Sequence, residues 1–447
     1  MRNDNPPIDK PELPSLESAQ YTALKPTWEF LTDMYGGSRR WYQPLLGITD
    51  QDKAKAYLPP EAAEDKQVDW PSRVGRSPFP SRYTQAINGF ANLLTGFATK
   101  DLHPSIEPYL ETFDRTNSIE VFAKKADQLA MSLGLCWLGA EYPPKPPEEK
   151  KVVSRAAEKA LKNRAWACIY HPLNVINWRA EDGQLKWVVI KRMESTPKDF
   201  GVESTTIYRL CRPGEWVDYV VKRNGEKGEW ASEEVKTGRY SNGTLPIVPY
   251  VSSGDLDQIC PDLYEVAALN LSIYKQVSDY YACIHSCNRA VPVRIGLIQP
   301  GQREAPPPLI IGNTTGMDLP LGGAFTFAEP SGSALGATRQ AIADANFEID
   351  KQTLQYLGQG KQGNTTATEA AMSAKQTQGT IEGLAEAKES AFQTLFKYWA
   401  QYTDATVEEA GEIEVNDDML SPPTTPEQVA MIYGAGLLSK EGAVKKL

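Results

Sequence analysis

The sequence predicts an α+β protein, mainly helical, and three observations make that prediction. Apolar residues recur every three or four positions over several long stretches. Between those stretches, residues 167–251 break into short β-branched and aromatic runs separated by turn residues. Near the C-terminal end a single helical pattern runs from about Ala367 to Thr403, roughly three times the ordinary helix length of ~11–12 residues.

Residues 1–20 are rich in proline and charge and read as a loosely held arm. From Thr27 to Leu46 an aromatic-rich helical stretch follows, with Trp28, Phe30, Leu31, Met34 and Trp41, interrupted at Gly36-Gly37. Ser81–Thr99 reads as a second helix through Tyr83, Ile87, Phe90, Leu93 and Phe97. A third covers about Ser118 to Leu138, carrying Val121, Phe122, Ala126, Leu129 and Leu133. The prolines between Pro143 and Pro147 break the chain, and Glu148–Asn163 reads as a charged, solvated helix.

The β block comprises Trp187–Lys191, Thr206–Cys211, Trp216–Lys222 and Leu245–Val251. Asp182-Gly183 and Asn224-Gly225 supply hairpin turns, so the sheet is expected to be antiparallel. A long helix from Pro261 to Asn288 carries Leu263, Val266, Asn270, Tyr274, Val277, Tyr281 and Ile284 at helical spacing. A Pro- and Gly-rich β segment, Val291–Pro330, then leads to a helix over Ala334–Leu357. The glycine-rich stretch Gly358–Asn364 separates it from the last long helix, which opens on the capping-box pattern Thr366-Ala-Thr-Glu369. Pro422, Pro423 and Pro426 end the region, and a small helical tail closes the chain.

Composition narrows the function. The 447 residues suffice for more than one core. Lys plus Arg number 47 against 57 Asp plus Glu, a net charge of -10. That balance argues against a protein that wraps or grips DNA, because affinity for phosphates comes from clustered cations. It suits a wall past which DNA slides, since an acidic surface repels the duplex. Mean hydropathy is -0.43, and no apolar run is long enough for a membrane span. The polar segment Met1–Lys10 lacks the apolar core of a signal peptide, so the protein is expected to stay in the cytosol where it is made. The six cysteines are then expected as free thiols.

Several motifs invite sharper readings. Gly358-x-Gly360-x-x-Gly363 matches a dinucleotide fingerprint in form. That fingerprint needs a preceding strand, and here a helical pattern precedes it, so these glycines are expected to serve a movable loop and no cofactor is assigned. Cys283-x-His285-x-Cys287 puts two thiols on one helix face but aims the histidine elsewhere. Structural zinc sites favour closer pairs, and no metal is assigned. The acidic run at Glu408, Glu409, Glu412, Glu414, Asp417 and Asp418 reads as a solvated rim. No Walker A, Gly-x-Ser-x-Gly or His-Glu-x-x-His pattern occurs, and the chain is read as a non-enzyme.

Taken together, the C-terminal half runs helix, β excursion, helix, polar loop, long helix. Local stretches add to that order: Thr32-Asp-Met-Tyr-Gly36 with Tyr57-Leu-Pro59, Phe79 through Arg82 to Gly96-Phe97, and Glu141-Tyr-Pro143. Asn174-Val-Ile-Asn-Trp-Arg179 and Pro261-Asp-Leu-Tyr-Glu-Val-Ala-Ala-Leu-Asn270 complete the set. Over about residues 28–403 the chain resembles the portal (head–tail connector) proteins of tailed bacteriophages.

That resemblance implies the portal fold. Residues 21–255 would form the wing, with the long helix 367–410 belonging to it. Residues 256–289 and 334–357 would be stem helices, 290–333 the clip, 358–366 the tunnel loop and 411–447 the crown. The family's long helical barrel above the crown finds only the short stretch after Gly411, so an extended barrel is not assigned. The resemblance further implies a homo-oligomeric ring, a dodecamer, at a capsid vertex of the virion, assembled in the host cytoplasm. Double-stranded DNA would pass through it in packaging and ejection. Terminase, major capsid and scaffold proteins and a tail adaptor would be its partners, with no membrane. Gln359, Lys361, Gln362 and Asn364 would offer weak, sequence-blind contacts to DNA, with Gly358, Gly360 and Gly363 as hinges. Two other readings compete: a metal-dependent phage nuclease built on the acidic clusters, and another head–tail adaptor or scaffold protein.

Overall fold

The computed structural model describes residues 13–43, 47–62, 64–94, 97–104, 106–142, 165–198, 201–223, 230–240, 243–287, 291–295, 324–328, 333–353, 367–402 and 410–415. In chain order the helices are α1 (Ala19–Gly36), α2 (Gln51–Tyr57), α3 (Asp69–Arg76), α4 (Arg82–Leu93), α5 (Ile119–Leu133), α6 (Tyr264–Cys287), α7 (Ser333–Gln352) and α8 (Ala367–Ala400). The strands are β1 (Tyr42–Gln43), β2 (Ile48–Thr49), β3 (Phe97–Lys100), β4 (Leu135–Glu141), β5 (Trp166–Tyr170), β6 (Val175–Glu181) and β7 (Gln184–Lys198). They continue with β8 (Gly201–Arg212), β9 (Glu215–Arg223), β10 (Trp230–Arg239), β11 (Ile247–Val251), β12 (Val291–Ile295), β13 (Ala324–Ala328) and β14 (Glu412–Val415). The architecture is mixed helix and strand, an α+β protein as the sequence predicts.

Two compact units divide the chain. The first comprises residues 1–36, 82–267 and 353–447, and the second residues 37–81 and 268–352. The range expected as the wing, 21–255, includes residues of both units, with 37–81 in the second.

In the first unit, α5 shows how local sequence sets an element. Ser118 caps its start, accepting a hydrogen bond from the Val121 amide. Ile119, Phe122, Ala123, Ala126, Ala130 and Leu133 share its buried side. Gly134 ends it in the left-handed region at φ 78°. The helix expected to reach Leu138 therefore stops at Leu133, and Leu135–Leu138 belong to β4. Full burial of Leu135, Cys136, Trp137 and Leu138 gives an unbroken apolar run, which helical spacing alone cannot tell from strand.

Two further helix boundaries move for similar reasons. The stretch expected as one helix over Ser81–Thr99 stops at Leu93, and Phe97–Lys100 pairs instead with Glu412–Val415. The first helix starts at Ala19 and ends at Gly36, so Trp41, expected on it, lies beyond its end. Residues 13–20 of the expected loose arm are fixed. Ser18 donates its amide to Ile176 O, Leu16 O accepts from Asn177 Nδ2, and Gln20 Nε2 reaches Leu256 O at 2.6 Å. The backbone groups of that segment find non-local partners, which its proline content does not reveal.

The β block is antiparallel, as its turns predict. Five strands follow in the order β10-β9-β8-β7-β6, and β11-β4-β5 form a second sheet. Asp182 (φ 52°) and Gly183 (φ 71°) make the tight turn between β6 and β7, the geometry that matches strand twist. Residues 224–229, expected as the next hairpin turn, lie outside the described residues, but β9 and β10 pair on either side of them.

The second unit is organised by aromatic rings and one arginine. Trp41, fully buried, meets Tyr57 at 4.8 Å and Phe79 at 5.1 Å edge-on, and Phe79 meets Tyr274 at 5.2 Å. Helices α2 and α3, which sequence periodicity does not predict, carry Leu58 O against the Trp70 indole N–H at 2.8 Å. β12 and β13 pair antiparallel between α6 and α7. The charged helix expected over Glu148–Asn163 lies outside the described residues, as do most of the expected clip, the tail and all but 411–415 of the expected crown. No described helix is long and apolar enough to cross a membrane.

Candidate functional site

The residues that sequence reasoning singles out, Gly358, Gln359, Gly360, Lys361, Gln362, Gly363 and Asn364, all lie outside the described residues. The structure instead shows how the helix that follows them, α8, is seated in the first unit.

From Ile381 onward α8 buries one stripe: Ile381, Leu384, Ala385, Lys388, Ala391, Phe392, Leu395, Phe396 and Trp399. The spacing alternates three and four, so the stripe follows one helix face. Phe113 stacks on Trp399 at 4.4 Å with 15° between the rings and on Phe396 at 5.5 Å. Phe392 packs edge-on against Phe122 and Tyr250. This cluster joins α8 to α5, β4 and β11 in one core.

One member of the stripe is charged. Lys388 is fully buried and donates from Nζ to Asp127 Oδ2 at 2.7 Å and to Leu94 O at 2.6 Å. Asp127, on α5 and equally buried, accepts a second hydrogen bond at Oδ1 from Tyr250 OH at 3.0 Å. Burial pushes the Asp127 carboxyl up to about 6, against the pull of the Lys388 ammonium and the two hydrogen bonds. The same burial raises the Tyr250 hydroxyl well above its usual range. Four segments thus meet around one buried ion pair: α8, α5, β11 and the end of α4. Sequence reading passes over this group. The available signal is a lysine where the stripe Leu384, Ala391, Leu395 calls for an apolar residue.

The C-terminal side of α8 holds a strand. Gln393 Oε1 accepts from the Ile413 amide at 3.0 Å, its Nε2 donates to Gly411 O, and a Glu389 carboxylate oxygen accepts from the Val415 amide at 2.7 Å. Glu412 and Glu414 of the acidic run sit on this strand, and Glu414 pairs with Lys100 of β3.

In the second unit, Arg73 of α3 is buried and uses its whole fork. Nε and Nη2 grip the Glu64 carboxylate at 2.7 and 2.9 Å, Nη2 also reaches Pro59 O, and Nη1 donates to Ser278 Oγ on α6 at 3.1 Å. Ser77 completes the link with a 2.9 Å hydroxyl contact to Ser278. The expected stem helix α6 is therefore clamped at its middle.

Elsewhere in the first unit, Arg209 bridges Asp218 (2.7 and 3.1 Å) and lies over the Trp216 ring, while Arg192 takes the same carboxylate at 2.6 Å. Nearby, burial raises the Cys168 thiol well above its usual range and the Cys211 thiol to about 12. Protonated and buried, these sulfurs are poor nucleophiles. Among the described residues no three His, Cys, Asp or Glu side chains come together as a metal ion would need. The described geometry holds and orients long helices.

A sequence family described as Domain of unknown function (DUF4055) matches residues 262–403, which spans α6 to α8. No curated protein matches the sequence. Among solved structures, the chain is similar to a chain in the neck of a native GTA particle computed with C12 symmetry. That similarity covers 83% of this chain and 91% of the other at 12% identity and a TM-score of 0.43. It is also similar to a chain in the neck of an empty GTA particle computed with C6 symmetry, at 14% identity and TM-score 0.45, with 87% and 94% covered. A third is in the virion of a native gene transfer agent particle, at 15% identity and TM-score 0.41, with 87% and 94% covered.

Proposed function

We propose that the chain is a portal subunit: a non-enzymatic homo-oligomer, a dodecamer, whose ring conducts double-stranded DNA at a capsid vertex of a phage-like particle. The terminase motor would dock on it during packaging and a tail adaptor afterwards, with major capsid and scaffold proteins around it.

One observation carries the reading. Helices α6 and α7, of 24 and 20 residues, flank a β excursion whose described strands pair, and the 34-residue α8 follows α7 in sequence after the glycine-rich stretch 358–364. A chain folding for itself alone would cover such rods. Here Tyr281 on α6 stays 44% exposed and Phe347 on α7 46% exposed. Large rings left wet along long helices suit faces that neighbours cover, and head-to-tail contacts of this kind close by rotation into rings. The sequence resemblance to phage portals along residues 28–403 supports the same reading. Gln359, Lys361, Gln362 and Asn364 would then line the bore as weak phosphate contacts.

Electron microscopy of the purified full chain is the direct test. Closed rings with a central hole are expected, and a stable monomer under all assembly conditions overturns the proposal.

A further inference from the structure

Among the described residues the five-stranded sheet of the first unit has two open edges. β6 pairs with β7 only as far as Ile190, whereas β8 follows β7 on its other side to Lys198. Among the described residues no strand lies along the outer side of Lys191–Lys198. At the other end of the sheet β10 has β9 as its one neighbour among the described residues, and Ala231–Thr237 are all exposed. Both edges keep apolar side chains in water: Met193 is 70%, Val202 on the facing strand 68% and Val235 58% exposed.

Unpaired strand edges are templates for pairing with another chain, and a two-stranded ribbon wet on both faces is marginal by itself. The two edges differ in charge. The β7 segment carries Lys191 and Arg192 against Glu194, and the β10 segment carries Glu233 and Glu234 against Lys236. Pairing β7 with β7 would set basic against basic and, being two-fold, would stop at two copies. Pairing β7 with β10 sets opposite charges together and leaves one open edge at each end of every dimer. That head-to-tail arrangement continues until it closes.

We propose that the outer edge of β7 beyond Ile190 in one copy of this chain pairs with the outer edge of β10 in the next copy, so that the sheets join around the assembly. This rests on the ring reading above and adds the contact that links neighbours at the level of the sheet. Backbone hydrogen bonds would supply the affinity, and Met193 and Val235 would bury their side chains at the seam. Pro197, which lacks an N–H, would mark where the pairing ends.

Cysteine cross-linking of the full-length assembled protein tests it, in a Cys260→Ser background because Cys260 is exposed. Ser195→Cys or Thr196→Cys is combined in turn with Ser232→Cys, Val235→Cys and Thr237→Cys, then oxidised. At least one combination should give a ladder of covalent multimers on a denaturing gel, removed by reductant and missing from every chain with one introduced cysteine and from the Cys260→Ser parent. Intact rings in the microscope with no ladder from any combination overturn the edge pairing and leave the ring standing. A ladder from a chain with one introduced cysteine, absent from the Cys260→Ser parent, also overturns it, because like edges would then be meeting. Monomers throughout overturn the ring reading itself.

Discussion

Lys388 of α8 and Asp127 of α5 form a fully buried ion pair, Nζ to Oδ2 2.7 Å, although 261 positions separate them in sequence. The pair fixes both the rotation and the axial position of the longest helix, because the same ammonium also reaches Leu94 O. A sliding or turning helix would leave that charge unpaired in an apolar core, which is costly.

Lys388→Ala should destabilise the first unit by roughly 3–5 kcal/mol, since it strips Asp127 of its counter-charge and opens a cavity. The paired replacement Lys388→Met with Asp127→Leu should recover most of that loss, because well-packed apolar groups substitute for buried ion pairs. Denaturant unfolding of the three proteins checks this. Equal instability of the single and double variants would show that packing volume, not charge, sets the cost.

Phe347→Asp tests the exposed face of α7. Circular dichroism should remain that of the parent, since the ring is 46% exposed in the single chain, while the yield of rings falls sharply. Unchanged ring yield would mean that α7 meets no neighbour through Phe347.

Gly134→Ala should cost about 2 kcal/mol or more. At φ 78° a side chain is strained, and its Cβ would sit 3.0 Å from Pro261 N and 3.1 Å from the Cys260 carbonyl group. Thermal unfolding reads the effect, and a neutral result would show that the 260–261 backbone yields freely.

Arg73→Lys keeps the charge but loses the fork, and roughly 2–3 kcal/mol of stability should go with the Glu64 and Ser278 contacts. Hydrogen exchange should rise in α3 and in α6 around Ser278. Exchange confined to α3 would argue against a clamp on α6.

Asp114 gives a pH signature. Burial pushes its carboxyl up, but hydrogen bonds from the Asn117 side chain and amide and from the Thr116 amide and hydroxyl outweigh this and hold it at about 2. Its folded value lies below the ordinary 3.8, so its contribution to stability is present above that pH and fades as pH falls through about 2. The stability gap between the parent and Asp114→Ala should therefore narrow with acidification across that window. A gap that widens would reverse the assignment.

The loop expected as the site lies outside the described residues, and of its surroundings part was legible and part was not. Glycines at 358, 360 and 363 among Gln359, Lys361, Gln362 and Asn364 predict a polar loop between two helical periodicities, because backbone freedom and polarity are local properties. Of the helices on either side, α8 starts at Ala367 as expected, while α7 ends at Gln352, short of the expected Leu357. The seat of α8 was not legible. Nothing beside Lys388 in sequence names Asp127, Tyr250 or Leu94 as its partners.

By itself the sequence determined which segments are helix and which are strand wherever a short-range rule operates. Asp182-Gly183 turns β6 into β7, whereas the Gly134 stop of α5 was read through as helix. Only the tertiary structure decided that Phe97–Lys100 leaves its helix to pair with Glu412–Val415, that Gly37–Ser81 joins the unit of α6 and α7, and that a lysine lies inside an apolar core. Those outcomes depend on hydrogen bonds and burial between residues hundreds of positions apart. Periodicity reports the face a segment will bury, but the partner it buries against is chosen by the whole chain.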